Sequence, residues 1–424
     1  MHTWKQIRDR EFGNLRPHRF SNRIKSRRLS DLQLSNHKDF LSPHKGALNS
    51  LQVDLTEGRY LLSAAADASV AVFDVQRPTE YEAGGLISKH RCLFLVDKQH
   101  QLAHKYAVSS AVWYPVDTGL FITGSFDHHI NVWDTNTTQV VVNFKMPGKV
   151  YRTAMSPLAT SHMLVAAATE DVQVRLCDVA SGAFAHTLSG HRDGVMSVEW
   201  STSNQSRTQL GRRPSVLKRS TMNKESTFKS SSAGQTTSAK LRVAQKKLPN
   251  GNGSRQVVVG RVPAKGPIKQ RLHPGMLSTQ DRATAHYGAV TGLKVTDDGM
   301  YLLSSGSDSR LRLWDIESGC DTLVNFETVR LQTNKPIQLA TSQDSTRVFV
   351  PCMRTVKAFD MWSGSTSATF RGHYECVNSC WFNEQDQELY TGGSDRQILV
   401  WSPPRLISDE MEEGIAEDQD SWSN

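Results

Sequence analysis

One phrase recurs along the chain. An aspartate stands six positions before an aromatic or similarly apolar residue: Asp67 and Phe73, Asp127 and Trp133, Asp171 and Cys177, Asp308 and Trp314, Asp395 and Trp401. A histidine stands roughly 22 residues before four of those aspartates, at His44, His104, His286 and His373. A fifth, His191, opens the same phrase, which breaks off after Trp200. Self-similarity of this kind means that one small unit, unable to bury its own apolar faces, is stacked against copies of itself.

Each unit reads as four short strands. In the unit from His286 these are 289–295, 301–304, 311–314 and 322–324, each a short run of β-branched or apolar residues. Sharp turns are predicted between them at Thr296-Asp297-Asp298-Gly299, Gly306-Ser307-Asp308 and Glu317-Ser318-Gly319. The unit from His373 repeats the pattern through Cys380-Trp381-Phe382, Glu388-Leu389-Tyr390 and Ile398-Leu399-Val400-Trp401. The spacing has a mechanical reason. A His, a Ser or Thr of the second strand, the Asp and the Trp can form one hydrogen-bonded chain that satisfies polar groups burial would penalise. His104, Asp127 and Trp133, His286, Asp308 and Trp314, and His373, Asp395 and Trp401 are the expected members.

These residues match the WD repeat pattern, which predicts an all-β, WD40-type β-propeller. Counting two units that lack the His, near 150 and 335, the blades number nominally seven. The fourth is incomplete. After Trp200 comes a segment rich in Ser, Lys, Arg, Gly and Gln, with sixteen Lys and Arg against Glu225 alone between 205 and 280. Such a composition cannot bury enough apolar surface to order itself. A run at Gln256-Val257-Val258-Val259-Gly260 could supply a strand but lacks the turn-and-Asp framework. The expected organisation is a basic arm over 1–40, propeller over 41–201 and 284–404, a disordered basic linker over 202–283, and an acidic tail over 405–424. The net charge of +8 therefore belongs to appendages.

Recurrence also argues against chemistry. A Ser-His-Asp catalytic site is needed once, whereas this constellation repeats on a regular period. His373, Cys376 and Cys380 have no fourth ligand nearby for a metal, and no Gly-Lys-Ser/Thr phosphate loop occurs. No cofactor and no enzymatic activity are expected. Basic clusters such as Arg212-Arg213, Lys218-Arg219 and Lys246-Lys247 leave a linker, an import signal and a weak phosphate contact open. Six cysteines show no paired spacing, and no apolar run reaches the ~20 residues of a membrane span. A soluble intracellular protein with reduced thiols is expected. In the arm, Phe20, Ile24, Leu29 and Leu32 punctuate a basic stretch at a spacing close to one helical face.

Several stretches go beyond a generic repeat: Glu57-Gly58-Arg59-Tyr60-Leu61-Leu62-Ser63, Trp113-Tyr114-Pro115, Trp133-Asp134-Thr135-Asn136-Thr137, Thr322-Leu323-Val324-Asn325, and Ser26-Arg27-Arg28-Leu29. With them the chain resembles the Cockayne syndrome group A proteins, its plant members most closely. That resemblance implies a nuclear substrate receptor of a cullin-4 RING ubiquitin ligase in transcription-coupled nucleotide excision repair. The implied partners are the ligase's damaged-DNA-binding adaptor, the cullin-4 complex and repair factors at stalled RNA polymerase II. Implied for adaptor docking are Phe20, Ile24, Arg27, Arg28, Leu29 and Leu32. Tyr106, Arg192, Tyr287 and Tyr374, each just after a repeat His, are expected on one rim, where large amphipathic side chains suit protein recognition.

The departure is the fourth unit. The family completes it with further strands and a Trp-Asp-x-Arg ending tied to docking, whereas this chain offers only Trp133-Asp134-Thr135-Asn136 and Trp314-Asp315-Ile316-Glu317. The join at Thr202-Ser203-Asn204-Gln205 reads as an internal deletion. The alternative function is a WD-repeat scaffold or peptide reader in chromatin or RNA processing, without a ligase.

Overall fold

The computed structural model describes residues 2–82, 84, 86–156, 163–191, 193–201, 228–231, 285–331 and 335–404. Nearly all of the described chain is β, in short antiparallel sheets around a ring, with two helices at the amino end. Five units form four-stranded blades. The His44 unit uses Leu48–Val53, Tyr60–Ala65, Val70–Asp74 and Cys92–Val96. The His104 unit uses Val108–Trp113, Leu120–Ser125, His129–Asp134 and Val140–Lys145. The units near 150 and 335 follow suit despite lacking the His. In each blade the inner strands are covered on both sides by neighbouring blades, so Tyr60–Ala65 is buried almost throughout. Outer strands alternate, as Val140–Lys145 does.

The fifth four-stranded blade is built from both ends of the chain. Val377–Asn383, Glu388–Gly393 and Ile398–Ser402 come from the His373 unit, and the outer strand comes from the amino terminus. There, β1 (Gln33–Leu34) pairs with Ser402 and Trp401, and β2 (Lys38–Phe40) pairs with Ile398 through Phe40. The expected boundary of the arm at residue 40 is thereby corrected. Residues 33–40 belong to the propeller because they fill the edge of its last sheet, closing an otherwise open row of backbone groups. A hairpin from the His44 unit, Glu80–Glu82 with Ile87–His90, runs parallel beside β2 and covers it in turn.

Two units show fewer than four strands among the described residues. Ser197–Trp200 pairs with one strand, Phe228–Ser231, so the segment expected to be wholly without strands contributes four paired residues. The run at 256–260 lies outside the described residues. In the His286 unit three strands form, but the expected fourth at 322–324 does not. Leu323 takes a left-handed φ of 63°, which breaks the extended run after a single bridge from Trp314 to Asp321. The following chain instead drops Phe326, Val329 and Leu331 into the core between this unit and the next.

The innermost strands nonetheless close the ring, each tied to the next by a named contact. Asn378 donates to the carbonyl of Leu48 (2.9 Å), Asn49 to that of Val108 (2.8 Å), and Ser109 to that of Val150 (2.6 Å). Trp200 Nε1 donates to Ala154 (3.0 Å), and Lys294 Nζ reaches Glu199 (3.4 Å). The Ile337 amide donates to Thr291 (3.0 Å), and that of Gln338 to Asn378 (2.9 Å). Apolar clusters fill the interfaces between blades; among the described residues the smallest, on the side of the His286 unit toward the His191 unit, holds Val290, Leu293, Val295 and Leu302, with Trp314 and Ile316 half-buried beside it. Trp133 and Trp401, the equivalent residues of complete blades, are buried to 1% and 3% exposure.

Candidate functional site

The repeat residues meet as one chain of hydrogen bonds. In the His104 unit, Trp133 Nε1 donates to Thr123 Oγ1 (2.8 Å), which lies 2.8 Å from His104 Nε2, while His104 Nδ1 lies 2.8 Å from Asp127 Oδ2. One tautomer satisfies every member, with the proton on Nδ1 toward the carboxylate. His286, Ser304, Asp308 and Trp314 repeat this at 2.8–3.0 Å, as do His373, Thr391, Asp395 and Trp401 at 2.8–3.0 Å. The His44 unit is a variant. Phe73 replaces the Trp, and Ser69 sits between His44 (2.5 Å) and Asp67 (2.5 Å).

The aspartate also builds the rim. Its second oxygen accepts the amide two residues on, at His129, Arg310 and Gln397. That bond holds the intervening residue left-handed: His128, Ser309 and Arg396 have φ of 71°, 60° and 67°. Its first oxygen accepts the amide of the residue after the histidine: Lys105, Tyr287 and Tyr374. Burial opposes ionisation of Asp127. The hydrogen bond and charge of His104, with the Lys105 and His129 amides, outweigh it and hold the carboxyl below its ordinary value. Asp308 and Asp395 are lowered in the same way by His286 and His373.

Tyr106, Tyr287 and Tyr374 therefore share the end of the blades where the second strand turns into the third. They are 65%, 54% and 81% exposed, and the Arg310 guanidinium lies 5.8 Å from the Tyr287 ring centre. Arg192, the fourth expected rim residue, lies outside the described residues.

The arm lies on the opposite face. Helices α1 (His2–Glu11) and α2 (Pro17–Ser30) form a hairpin, with Arg10 stacked over Phe20 at 5.5 Å. From α2, Lys25 Nζ donates to Gln343 (2.7 Å) and Arg28 to the Asp386 carbonyl (3.1 Å), both in turns between first and second strands. Leu29 is buried among Phe349, Phe370, Phe382 and Trp401, with Leu32 packed against the same cluster. This corrects the expected docking set. Leu29 and Leu32 anchor the arm to its own propeller and are spent on it, while Phe20 and Ile24 stay half-buried and Arg27 and Arg28 exposed.

This face also carries apolar residues that the repeat pattern gave no reason to single out. Leu55, Val116 and Met300 occupy first turns at about half exposure, and Trp362 packs edge-on against Tyr301 at 5.1 Å. Only their local turn positions, read blade by blade, could have marked them. At the centre of the face a cavity of about 250 Å³ is lined by Arg152, Glu199, Lys294, Asp297, Trp381 and Glu384 among others. Burial, and then the charge of Asp297, push the Glu384 carboxyl up to about 7. Among the described residues no group of His, Cys, Asp or Glu is placed to hold a metal ion.

This geometry can hold partners on two faces. Comparison with known proteins places it in a family. The WD domain, G-beta repeat, matches residues 97–134, 279–315 and 364–402. The WD repeat-containing protein ATCSA-1 of Arabidopsis thaliana is 64% identical over 456 aligned positions, covering 99% of this chain and 100% of that protein. The chain belongs to the Cockayne syndrome group A family of WD-repeat proteins. Radiation-sensitive protein 28 of Saccharomyces cerevisiae is 36% identical over 18% of this chain and 15% of its own length. The U5 small nuclear ribonucleoprotein 40 kDa protein of Dictyostelium discoideum is 24% identical over 38% and 43%. The Arabidopsis alignment is longer than this chain, so at least 32 of its positions have no counterpart here. In the His104 unit, residues 114–145, which hold the second to fourth strands, number 32. The second to fourth strands of one blade are thus a segment of that size.

Proposed function

We propose that this chain is a non-enzymatic substrate-recognition subunit of a cullin-4 RING ubiquitin ligase, acting in the nucleus in transcription-coupled nucleotide excision repair. The mechanism is positional. The arm and its apolar face bind the damaged-DNA-binding adaptor through Phe20, Ile24, Arg27 and Arg28, the tyrosine rim holds a target, and other subunits transfer ubiquitin. In this reading the two- and three-stranded sheets are the fourth and fifth of seven blades. Membership of the Cockayne syndrome group A family supports the reading. The observation that carries it is the separation of the basic arm and the tyrosine rim onto opposite faces, which lets one molecule bridge two partners. Co-precipitation from plant nuclei tests it: wild-type chain should recover cullin-4 and its adaptor, and Arg27→Glu/Arg28→Glu should lose at least ten-fold. Equal recovery would overturn the docking assignment. Recovery of spliceosomal or chromatin proteins without cullin-4 would favour the scaffold reading, for which the partial likeness to the U5 protein speaks.

A further inference from the structure

The rim that carries the tyrosines is also charged, and unevenly. Lys45 and Lys105 directly follow their repeat histidines, and their amides donate to Asp67 (2.6 Å) and Asp127 (3.1 Å). Arg310 and Arg396 stand in the turns that Asp308 and Asp395 cap. Arg354 stands in the matching turn of the unit near 335, after Met353 with its left-handed φ of 53°. All five cations are exposed, and none meets a carboxylate among the described residues. They also sit on adjacent units. The contacts that close the ring run from the His286 unit through the unit near 335 to the His373, His44 and His104 units. Tyr287, Tyr374 and Tyr106 stand at the start, middle and end of that same arc.

The other two units differ in charge. Their rim carries Glu170 and Asp171, engaged by Lys149 and Arg175, and the exposed Asp193. Within the arc the turn-building aspartates are already engaged by serine, histidine and backbone amides. Glu375 and the half-buried Asp97 offset the five cations only in part. This combination selects a class of partner. The arc exposes Leu102 and Met353 as its large aliphatic side chains, little for the buried apolar anchors on which folded partners depend. Cations at intervals with exposed aromatic rings between them suit an unpaired nucleic-acid strand instead: phosphates meet Lys and Arg while bases stack on the rings. Neighbouring sheets pack about 10 Å apart, so five units span about 40 Å. That length suits the roughly 4–16 nucleotides such sites hold.

We propose that this arc of the rim binds single-stranded nucleic acid without sequence preference. The proposal deepens the target-holding role given to the rim above, but its test is separate: cullin-4 recovery decides the ligase reading whether or not an oligonucleotide binds. The probe is a fluorescein-labelled oligothymidylate of about 12 nucleotides, titrated with the full-length chain between about 50 and 200 mM NaCl. Lys45→Gln/Lys105→Gln/Arg396→Gln should weaken binding about ten-fold or more and flatten its salt dependence. Tyr106→Ala/Tyr374→Ala should weaken it by a similar factor and leave the salt dependence unchanged. A duplex of the same length, whose bases are already stacked on one another, should bind wild type several-fold less tightly. Wild-type affinity in both variants overturns the proposal and gives the binding to another basic segment, such as 202–283. A duplex that binds as tightly as the single strand overturns it too, because phosphate attraction alone would then suffice. So does displacement of the probe by an equal concentration of a polyglutamate peptide of matched length, which would make the arc a site for acidic peptides, and so does a wild-type chain that fails to bind the probe.

Discussion

Asp127, Asp308 and Asp395 each hold together what would otherwise be separate weak features. One carboxylate orients a buried histidine, caps a turn with a left-handed residue, and pins the backbone of a rim residue. The spacing in the sequence revealed the His–Asp–Trp members, because the period itself is the signal. It did not reveal Ser69 as the intermediary of His44, since a serine two residues past an aspartate is common in any turn. Thr123 shows the stakes. Thr123→Val keeps shape but leaves the buried Trp133 N–H and His104 ring without their partner, and should cost about 2–3 kcal/mol in a urea titration. His44 sets a pH dependence. Burial lowers its pKa from 6.5 to about 4, against the opposing charge of Asp67. The folded protein thus resists a proton that the unfolded chain accepts. The contribution of His44 is full well above pH 6.5 and is lost as pH drops toward 4, by about 2 kcal/mol at pH 5. The lowered aspartates lose their contribution only below the ordinary carboxylate range, so they are silent in that window. Glu384, raised to about 7, gains stability over the same fall in pH. The test is therefore a comparison. Between pH 7 and pH 5 the urea midpoint of wild type should fall more, or rise less, than that of His44→Gln, and equal pH responses would rule out His44 as a contributor.

At the scale of elements, strands inside the units were legible from turn chemistry and β-branched runs, whereas the strand that closes the ring was not. Residues 33–40 lie before the first repeat His, carry no turn-and-Asp framework, and show only Leu34 and Phe40 as apolar residues. Their strand character comes from Ile398–Ser402, more than 350 positions away, which no local pattern encodes. Phe40 is where the closure is strongest. Its ring stacks on His90 at 4.7 Å and meets Phe73 and Tyr390 edge-on at 5.6 and 5.8 Å, joining the first unit to the last. Lys38 adds a mostly buried ion pair with Glu388 at 2.8 Å. Phe40→Ala should therefore cost about 3–5 kcal/mol, while Phe184→Ala on an exposed outer strand should cost under about 1 kcal/mol. Similar urea midpoints for the two variants would mean that β2 does not close the ring. The arm shows the same limit. Helical spacing marked Leu29 and Leu32 as one set with Phe20 and Ile24, but spacing cannot say which of them its own blades will take.

At the scale of the whole molecule, the break after Trp200 decides where the ring is weakest. Propeller stability is cooperative because each blade buries both faces against neighbours, and a shortened unit withdraws burial from two interfaces at once. On one side Trp200 still packs with Ala166, Val174 and Val198 of the preceding interface. On the other, the described residues cover the His286 unit less: Trp314 is half-buried, and the half-buried Lys294–Glu199 pair spans the junction. Burial lowers the Lys294 pKa, but the charges of Glu199 and Asp297 outweigh it and keep the ammonium firmly protonated. The ring should therefore open here first. Hydrogen exchange in Val290–Asp315 is expected to be the fastest among the inner strands, with Leu48–Val53 among the slowest. Adding the relative's missing positions after Trp200 should bury Trp314, blue-shift its fluorescence and raise the unfolding midpoint. About five further apolar side chains at ~1.5–3 kcal/mol each is comparable with the net stability of a domain. If the restored chain melts at the same temperature with Trp314 unchanged, the missing positions are not the fourth blade's outer strands, and the thin interface must be intrinsic to the His286 unit, whose own fourth strand Leu323 prevents.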